Sequence, residues 1–303
     1  MGDAGAPSVL LFGGVLPGPV NTGHVYAGDT WLWDGASWTA LDSVGPAPRA
    51  AASMVSLGQS LLLFGGSGSS ETDFSDTWTW NGSSWAQSSA SGPIARDGAA
   101  MAVLNGQPVL FGGFSFMDDG SAITVDVLDD TWTFDGSSWT SLNVFSPAAR
   151  GNAAISPLGG NVVLFGGSTA LYSPVLGDTW TWNGITWAQA NAGGPSARAY
   201  ASMATLNGTV VMFGGYDPDN FNDYILADTW TWDGAAWTQQ FAPGPGARYG
   251  AAMATLSGQV VLFGGTGSSK EFLDDTWTWD GTSWTQLDVT GPTARAFAVM
   301  ATF

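Results

Sequence analysis

The chain has no cysteine and a single histidine, His24. The first absence excludes disulfides, thiolate nucleophiles and sulfur-ligated metals, and the second leaves no set of imidazoles to hold a metal. Positive charge is almost as scarce. Seven Lys and Arg face 25 Asp and Glu, a net charge of −18, and glutamate occurs only at Glu71 and Glu271. With no basic stripe to neutralise phosphates, nucleic acid and anionic membrane surfaces are excluded as partners. Also missing are an apolar run of membrane-spanning length and any extended segment of helical periodicity. The opening Met1-Gly2-Asp3-Ala4-Gly5 carries no signal-peptide pattern, which leaves either a cytoplasmic chain or a trimmed portion of an exported one, extracellular or periplasmic, and the second is the expectation.

What the chain has in quantity is glycine and tryptophan, 43 and 17 residues, with 15 prolines. That composition points to many short strands joined by tight turns. A Gly-Gly pair closes an apolar run at Gly13-Gly14, Gly65-Gly66, Gly112-Gly113, Gly166-Gly167, Gly214-Gly215 and Gly264-Gly265, at intervals of 47 to 54 residues. Runs such as Leu61-Leu62-Leu63-Phe64 are apolar on both faces, as a strand between two neighbouring sheets must be, and the glycine pair is expected to end each one sharply. Asp-Thr-Trp then opens a third strand, at Asp29, Asp76, Asp130, Asp178, Asp228 and Asp275. Asp-Gly or Asn-Gly follows, first at Asp34-Gly35, and suits the tight turn of a hairpin because these residues tolerate positive φ. A fourth strand begins at Trp38, Trp85, Trp139, Trp187, Trp237 and Trp284. A Pro-rich or Gly-rich link then leads to one arginine, at Arg49, Arg96, Arg150, Arg198, Arg248 and Arg295. Small residues such as Ala51-Ala52-Ser53-Met54 come next and suit a strand crowded near an axis.

Four strands per period, six times over, predict an all-β fold: one six-bladed β-propeller domain over residues 1–303, with four antiparallel strands per blade. The chain begins at a second strand, Ser8 to Phe12, and ends on a first strand, Ala296 to Phe303. The first blade is therefore expected to be closed by the C-terminal strand, which removes an open sheet edge.

The Gly-Gly pair after an apolar strand and the tryptophan beyond a tight turn, recurring from Gly13 to Trp284, resemble kelch repeats over the whole chain. The resemblance implies that the strand after the arginine is innermost. It also implies that the links from strand four to strand one and from strand two to strand three share one face, the face that usually carries binding. One departure is the motif Asp-Thr-Trp-Thr-Trp-Asp-Gly, as at Asp228 to Gly234, where the animal kelch pattern typically has a tyrosine before the turn.

Framework and candidate site separate by subtraction. All 17 tryptophans occupy repeated positions, eleven in third strands and six in fourth strands, and are read as inter-blade packing with each indole N–H bonded. Each repeat arginine has an Asp-Thr-Trp aspartate available, so six structural Arg–Asp pairs are expected rather than an anion site. None of the six tyrosines sits at a framework position. Tyr26, Tyr172, Tyr216 and Tyr224 lie in the variable links after Gly-Gly, and Tyr200 and Tyr249 follow repeat arginines. Phe297 takes the place of Tyr200 in another repeat, with Asn152 and Asp97 at neighbouring places. A channel mouth formed by Tyr200, Tyr249, Phe297, Asn152, Asp97, Tyr216, Tyr172 and His24 is the candidate ligand pocket.

Asp217, Asp219 and Asp223 put hard oxygen donors in one loop and form the candidate calcium site; no other cofactor is implied. The leading reading is a monomeric, non-catalytic ligand- or protein-binding scaffold. Its site lies on the face formed by the links after Gly-Gly and before the repeat Arg, and takes a neutral carbohydrate or a protein or peptide. Two alternatives stand beside it. One is a carboxylate-based enzyme on a sugar-like substrate, of epimerase or hydrolase type, with Asp97 as general base near Tyr200 and Tyr249. The other is an isolated or engineered scaffold with no ligand of its own.

Overall fold

The computed structural model describes residues 7–18, 24–69, 73–118, 123–171, 174–220 and 224–303. Its regular structure is strand throughout, arranged as six four-stranded antiparallel sheets with two short two-stranded ladders beside them. Each large sheet starts from the small-residue strand that follows a repeat arginine: Ser53–Leu57, Ala100–Leu104, Ala154–Leu158, Ser202–Leu206, Ala252–Leu256 and Val299–Thr302. These six strands lie next to one another in a closed circle around the axis. Val299–Thr302 pairs antiparallel with Val9–Phe12, so blade 1 is completed by the C-terminal strand as expected, with Thr30–Trp33 and Trp38–Leu41 following outward.

The second strands explain why the blades stack. Val9 and Leu11 pack toward blade 6 with Val261 and Phe263, while Leu10 and Phe12 pack toward blade 2 with Leu61 and Leu63. A strand with both faces in a core cannot alternate polar and apolar residues. Each such side chain contributes about 1.5–3 kcal/mol when fully buried.

The Asp-Thr-Trp motif and the arginine lock the blades to each other. Arg198 is 1 % exposed. It donates from Nε to the Ser196 carbonyl (3.0 Å), from Nη1 to the Gly214 carbonyl (3.0 Å) and to Asp228 Oδ1 (2.5 Å), and from Nη2 to Asp228 Oδ2 (2.9 Å). The same bidentate pair recurs in all six blades, with Nη1 to Oδ1 distances of 2.5 to 2.6 Å. Asp228 Oδ2 also accepts the indole N–H of Trp230 at 2.6 Å, and Thr229 Oγ1 accepts that of Trp284, in the next blade, at 2.9 Å. Burial works to raise the Asp228 carboxyl, but the Arg198 and Trp230 hydrogen bonds outweigh it and hold the group below the usual carboxylate range. All three motif residues are thereby accounted for by one hydrogen-bonded unit.

Three expectations change in detail. The indole N–H groups of Trp80, Trp182, Trp232 and Trp279 are buried without a hydrogen-bond partner among the described residues. Each of these rings lies tilted against its hairpin partner at 5.4 to 5.5 Å, in an apolar layer between sheets that offers no acceptor. Blade 3 has Phe134 at this place, 5.1 Å from Trp139, so the site requires ring volume and not the N–H.

The glycine pair does not end every strand. In blades 3 and 5 the strands Gln107–Asp118 and Thr209–Tyr216 run through it with a shift of register. What the first glycine supplies is space. In all six blades φ lies between 64° and 71°, and a Cβ would come within 2.3 to 2.6 Å of a repeat-arginine carbonyl. The hairpin loop is also longer than a two-residue turn: Trp33 pairs with Trp38, and Asp34 Oδ1 accepts the backbone N–H groups of Ala36 (2.8 Å) and Ser37 (2.7 Å).

Removing one partner of a buried pair strands the other, so Arg198→Met is expected to cost about 3–5 kcal/mol in urea unfolding. Arg198→Lys should recover little, since a point charge cannot reproduce the fork. A wild-type midpoint for either variant would remove the pair from the framework. Trp182→Phe is expected to stay within about 1.5 kcal/mol of wild type. Trp187→Phe should cost more, because it also breaks the 3.0 Å bond to Thr131; the reverse order would refute the assignment of roles.

Candidate functional site

Two residues after each repeat arginine build the mouth of the channel. The first, at Ala50, Asp97, Gly151, Ala199, Tyr249 and Ala296, pairs with the residue that follows the glycine pair of the same blade. The second adopts left-handed backbone in every blade, with φ of 51° at Ala51, 58° at Gly98, 57° at Asn152, 60° at Tyr200, 63° at Gly250 and 57° at Phe297. In this conformation each N–H donates to the carbonyl of the equivalent residue one blade back. Ala51 donates to Phe297, Gly98 to Ala51, Asn152 to Gly98, Tyr200 to Asn152, Gly250 to Tyr200 and Phe297 to Gly250, a closed ring of six hydrogen bonds of 2.7 to 3.0 Å. Glycine adopts this backbone without penalty, whereas other L-residues lose roughly 1–2 kcal/mol. Gly250 and Gly98 also make room: a Cβ would meet the Phe297 ring at 2.6 Å and Asn152 Oδ1 at 2.3 Å, respectively.

At this ring opens a cavity of about 960 Å³. Tyr200, Tyr249, Phe297, Asn152, Asp97, Tyr216 and His24 all line it, so seven of the eight residues singled out for the pocket are brought together. Tyr172 lies outside the described residues; the carbonyl of its neighbour Leu171 accepts the Tyr200 hydroxyl at 3.4 Å. One side of the cavity is aromatic. Tyr200, Tyr249 and Phe297 make three mutual ring contacts with centroids 5.5 to 5.8 Å apart, and Tyr216 adds a fourth against Tyr249 at 5.7 Å.

The side formed by blades 2 and 3 is acidic. Asp97 lines the cavity and is hydrogen-bonded by the Ser67 side chain. Asp73 stands beside it, with Oδ2 accepting the Phe116 N–H at 2.9 Å and Oδ1 buried with no hydrogen-bond partner among the described residues. Burial, reinforced by the like charge of Asp73, pushes Asp97 up to about 7 against the opposing Ser67 bond. Burial likewise pushes Asp73 up to about 6. Among the described residues no ion pair answers these two carboxylates. All six arginines are spent in the framework, and the basic side chains left among the described residues are Lys270, exposed on blade 6 across the axis, and His24, both of which line the cavity.

The sequence does not place Asp73 or Ser67 at the pocket. Asp73 looks like one more acid in a variable link, and only the contact with Phe116, 43 residues further on, sets it beside Asp97. The ring of left-handed residues carried no composition signal, since glycine fills two of its six positions. For calcium, Asp217 is buried and its Oδ1 accepts the backbone N–H of Asp219 at 3.1 Å, capping its own turn; Asp219 is exposed and Asp223 lies outside the described residues. Among the described residues no three His, Cys, Asp or Glu converge as metal ligands would.

No curated protein matches the chain. A family model described as the KLHDC2/KLHL20/DRC7 Kelch-repeats domain matches residues 4–194 and 153–303. The two segments overlap and span all six blades, and the chain belongs to this family of kelch-repeat domains.

Proposed function

We propose that the chain is a non-catalytic binding propeller whose ligand, a protein or peptide segment, enters the cavity at the channel mouth. Kelch-repeat domains generally mediate protein–protein interaction, which supports the coarse part of this reading. The observation that carries the finer part is the backbone at Tyr200 and Phe297. Two bulky rings occupy left-handed positions that glycine fills in other blades, and residues kept at such a cost cluster where ligands bind. Their half-exposed faces line the cavity instead of filling an inter-blade core. A neutral carbohydrate would suit the same rings and is the second ligand class.

One observation favours a catalytic reading. Asp97, raised to about 7 and lining the same cavity as Tyr200 and Tyr249, has the protonation balance of a general base or acid. Turnover of aryl glycosides or epimerisation of free sugars, lost in Asp97→Asn, would establish that reading in place of the first.

The test is selection from a displayed peptide library and a glycan array, each run against the wild type and against Tyr200→Gly/Phe297→Gly. The double variant relieves left-handed strain while losing ring contacts, so each substitution is expected to stay within about 1 kcal/mol of wild-type stability. Selected ligands should bind it at least about tenfold more weakly. Ligands that bind both proteins alike would sink the proposal, and collapse of the variant would make the two rings framework.

The acid pair also marks the pH dependence of stability. Folded Asp97 and Asp73 hold protons up to about 7 and about 6, against 3.8 in the unfolded chain. The folded state therefore binds more protons between about pH 4 and pH 7, and stability falls as pH rises through that window. The six framework aspartates run the other way, losing their contribution below about pH 4. Asp97→Asn should accordingly raise the unfolding midpoint at pH 8 by several degrees and change it little at pH 4. An unchanged or lower midpoint at pH 8 would contradict the placement of the pair.

A further inference from the structure

We infer that the cavity selects a cationic side chain, lysine or arginine, presented by a protein partner, with its apolar stem against Tyr200, Tyr249 and Phe297 and its charged head on Asp97. This rests on reading the cavity as the binding site and adds the chemistry of what enters it.

Three independent features of the site converge. The first is uncompensated acid: Asp97 on the wall and Asp73 behind it have no basic partner among the described residues, and Asp73 Oδ1 is buried without any hydrogen bond. Carboxylates withdrawn from water need a cation or a proton, and a ligand cation supplies the first. The second is geometry. Three aromatic rings in mutual contact at 5.5 to 5.8 Å face the same cavity as the acid. An aliphatic stem ending in an ammonium or guanidinium needs that combination, with cation–π attraction where the head passes a ring face. The third is the field of the whole protein, −18 in net charge with every arginine internally paired. An acidic peptide or a free carboxylate would find only Lys270 and His24 as basic side chains in the cavity, and a basic one is attracted from a distance.

Charge complementarity thus favours a basic segment over the other occupants a 960 Å³ cavity admits. Because the chemistry is that of an amine on a flexible stem, a free diamine is the competing source, and the experiment separates the two.

The test uses the full chain with ¹³C-labelled tyrosine rings, titrated with Ac-Gly-Gly-Lys-Gly-Gly-amide and with the same peptide carrying arginine, norleucine or glutamate at the centre. Lysine and arginine peptides should move the Tyr200 and Tyr249 resonances and bind at least about tenfold more tightly than norleucine. Asp97→Asn should erase that preference, and Lys270→Ala should leave or strengthen it. Norleucine or glutamate binding as well as lysine, lost in Tyr200→Gly, would overturn the charge assignment while leaving the cavity as the binding site. No tyrosine shift with any of the four peptides, in a protein that also yields no library ligand, would overturn both. A 1,5-diaminopentane titration closes the remaining gap: weaker binding than the lysine peptide supports a protein source, and tighter binding would overturn it.

Discussion

The fork between each repeat arginine and the Asp-Thr-Trp aspartate is the contact from which the rest of the propeller follows. Arg49 sits in the link between blades 1 and 2. Its carbonyl receives the N–H of Gly14 in blade 1 at 2.8 Å, and its guanidinium holds Gly65 and Asp76 in blade 2. A buried ion pair is a poor source of net stability when its hydrogen bonds are incomplete. Here Nε, Nη1 and Nη2 all donate, and the aspartate takes an indole N–H as well. The unit therefore fixes direction: it sets where the link leaves one blade and enters the next, and a first glycine without a Cβ is the condition for its carbonyl to fit.

That fixed link delivers the chain to the axis in one orientation. Two residues beyond each arginine the backbone turns left-handed, and the six N–H groups close their own ring. The cost of this conformation in Ala51, Tyr200 and Phe297 is borne because the arginine on one side and the inner strand on the other leave the peptide no alternative. Sixfold framework and asymmetric site are thus two layers of the same segment. The backbone repeats, while the side chains it carries go from alanine through glycine and asparagine to two aromatic rings.

Charge follows the same division. The framework consumes every arginine in pairs that hold six aspartates below the ordinary carboxylate range. At the mouth, Asp97 and Asp73 are displaced in the opposite direction because burial is met by no ion pair among the described residues. A protein so short of positive charge presents an aromatic and acidic funnel, and this polarity is what its blades hold in place.

The blades, their order, the closure of the first by the last strand and the six ion pairs were legible in the sequence, because each repeats with a period that only stacked four-stranded sheets explain. The tyrosines at the mouth were legible too, by what is left when the repeats are removed. Tertiary structure alone decided the rest. It ran two strands through their glycine pairs, left four indole N–H groups without acceptors, and turned Tyr200 and Phe297 left-handed. It also set Asp73 beside Asp97 across a blade boundary. Local chemistry specifies what recurs within one blade, whereas the left-handed ring and the Asp73–Asp97 pair depend on contacts between blades, whose partners meet only when neighbouring blades stack around the axis.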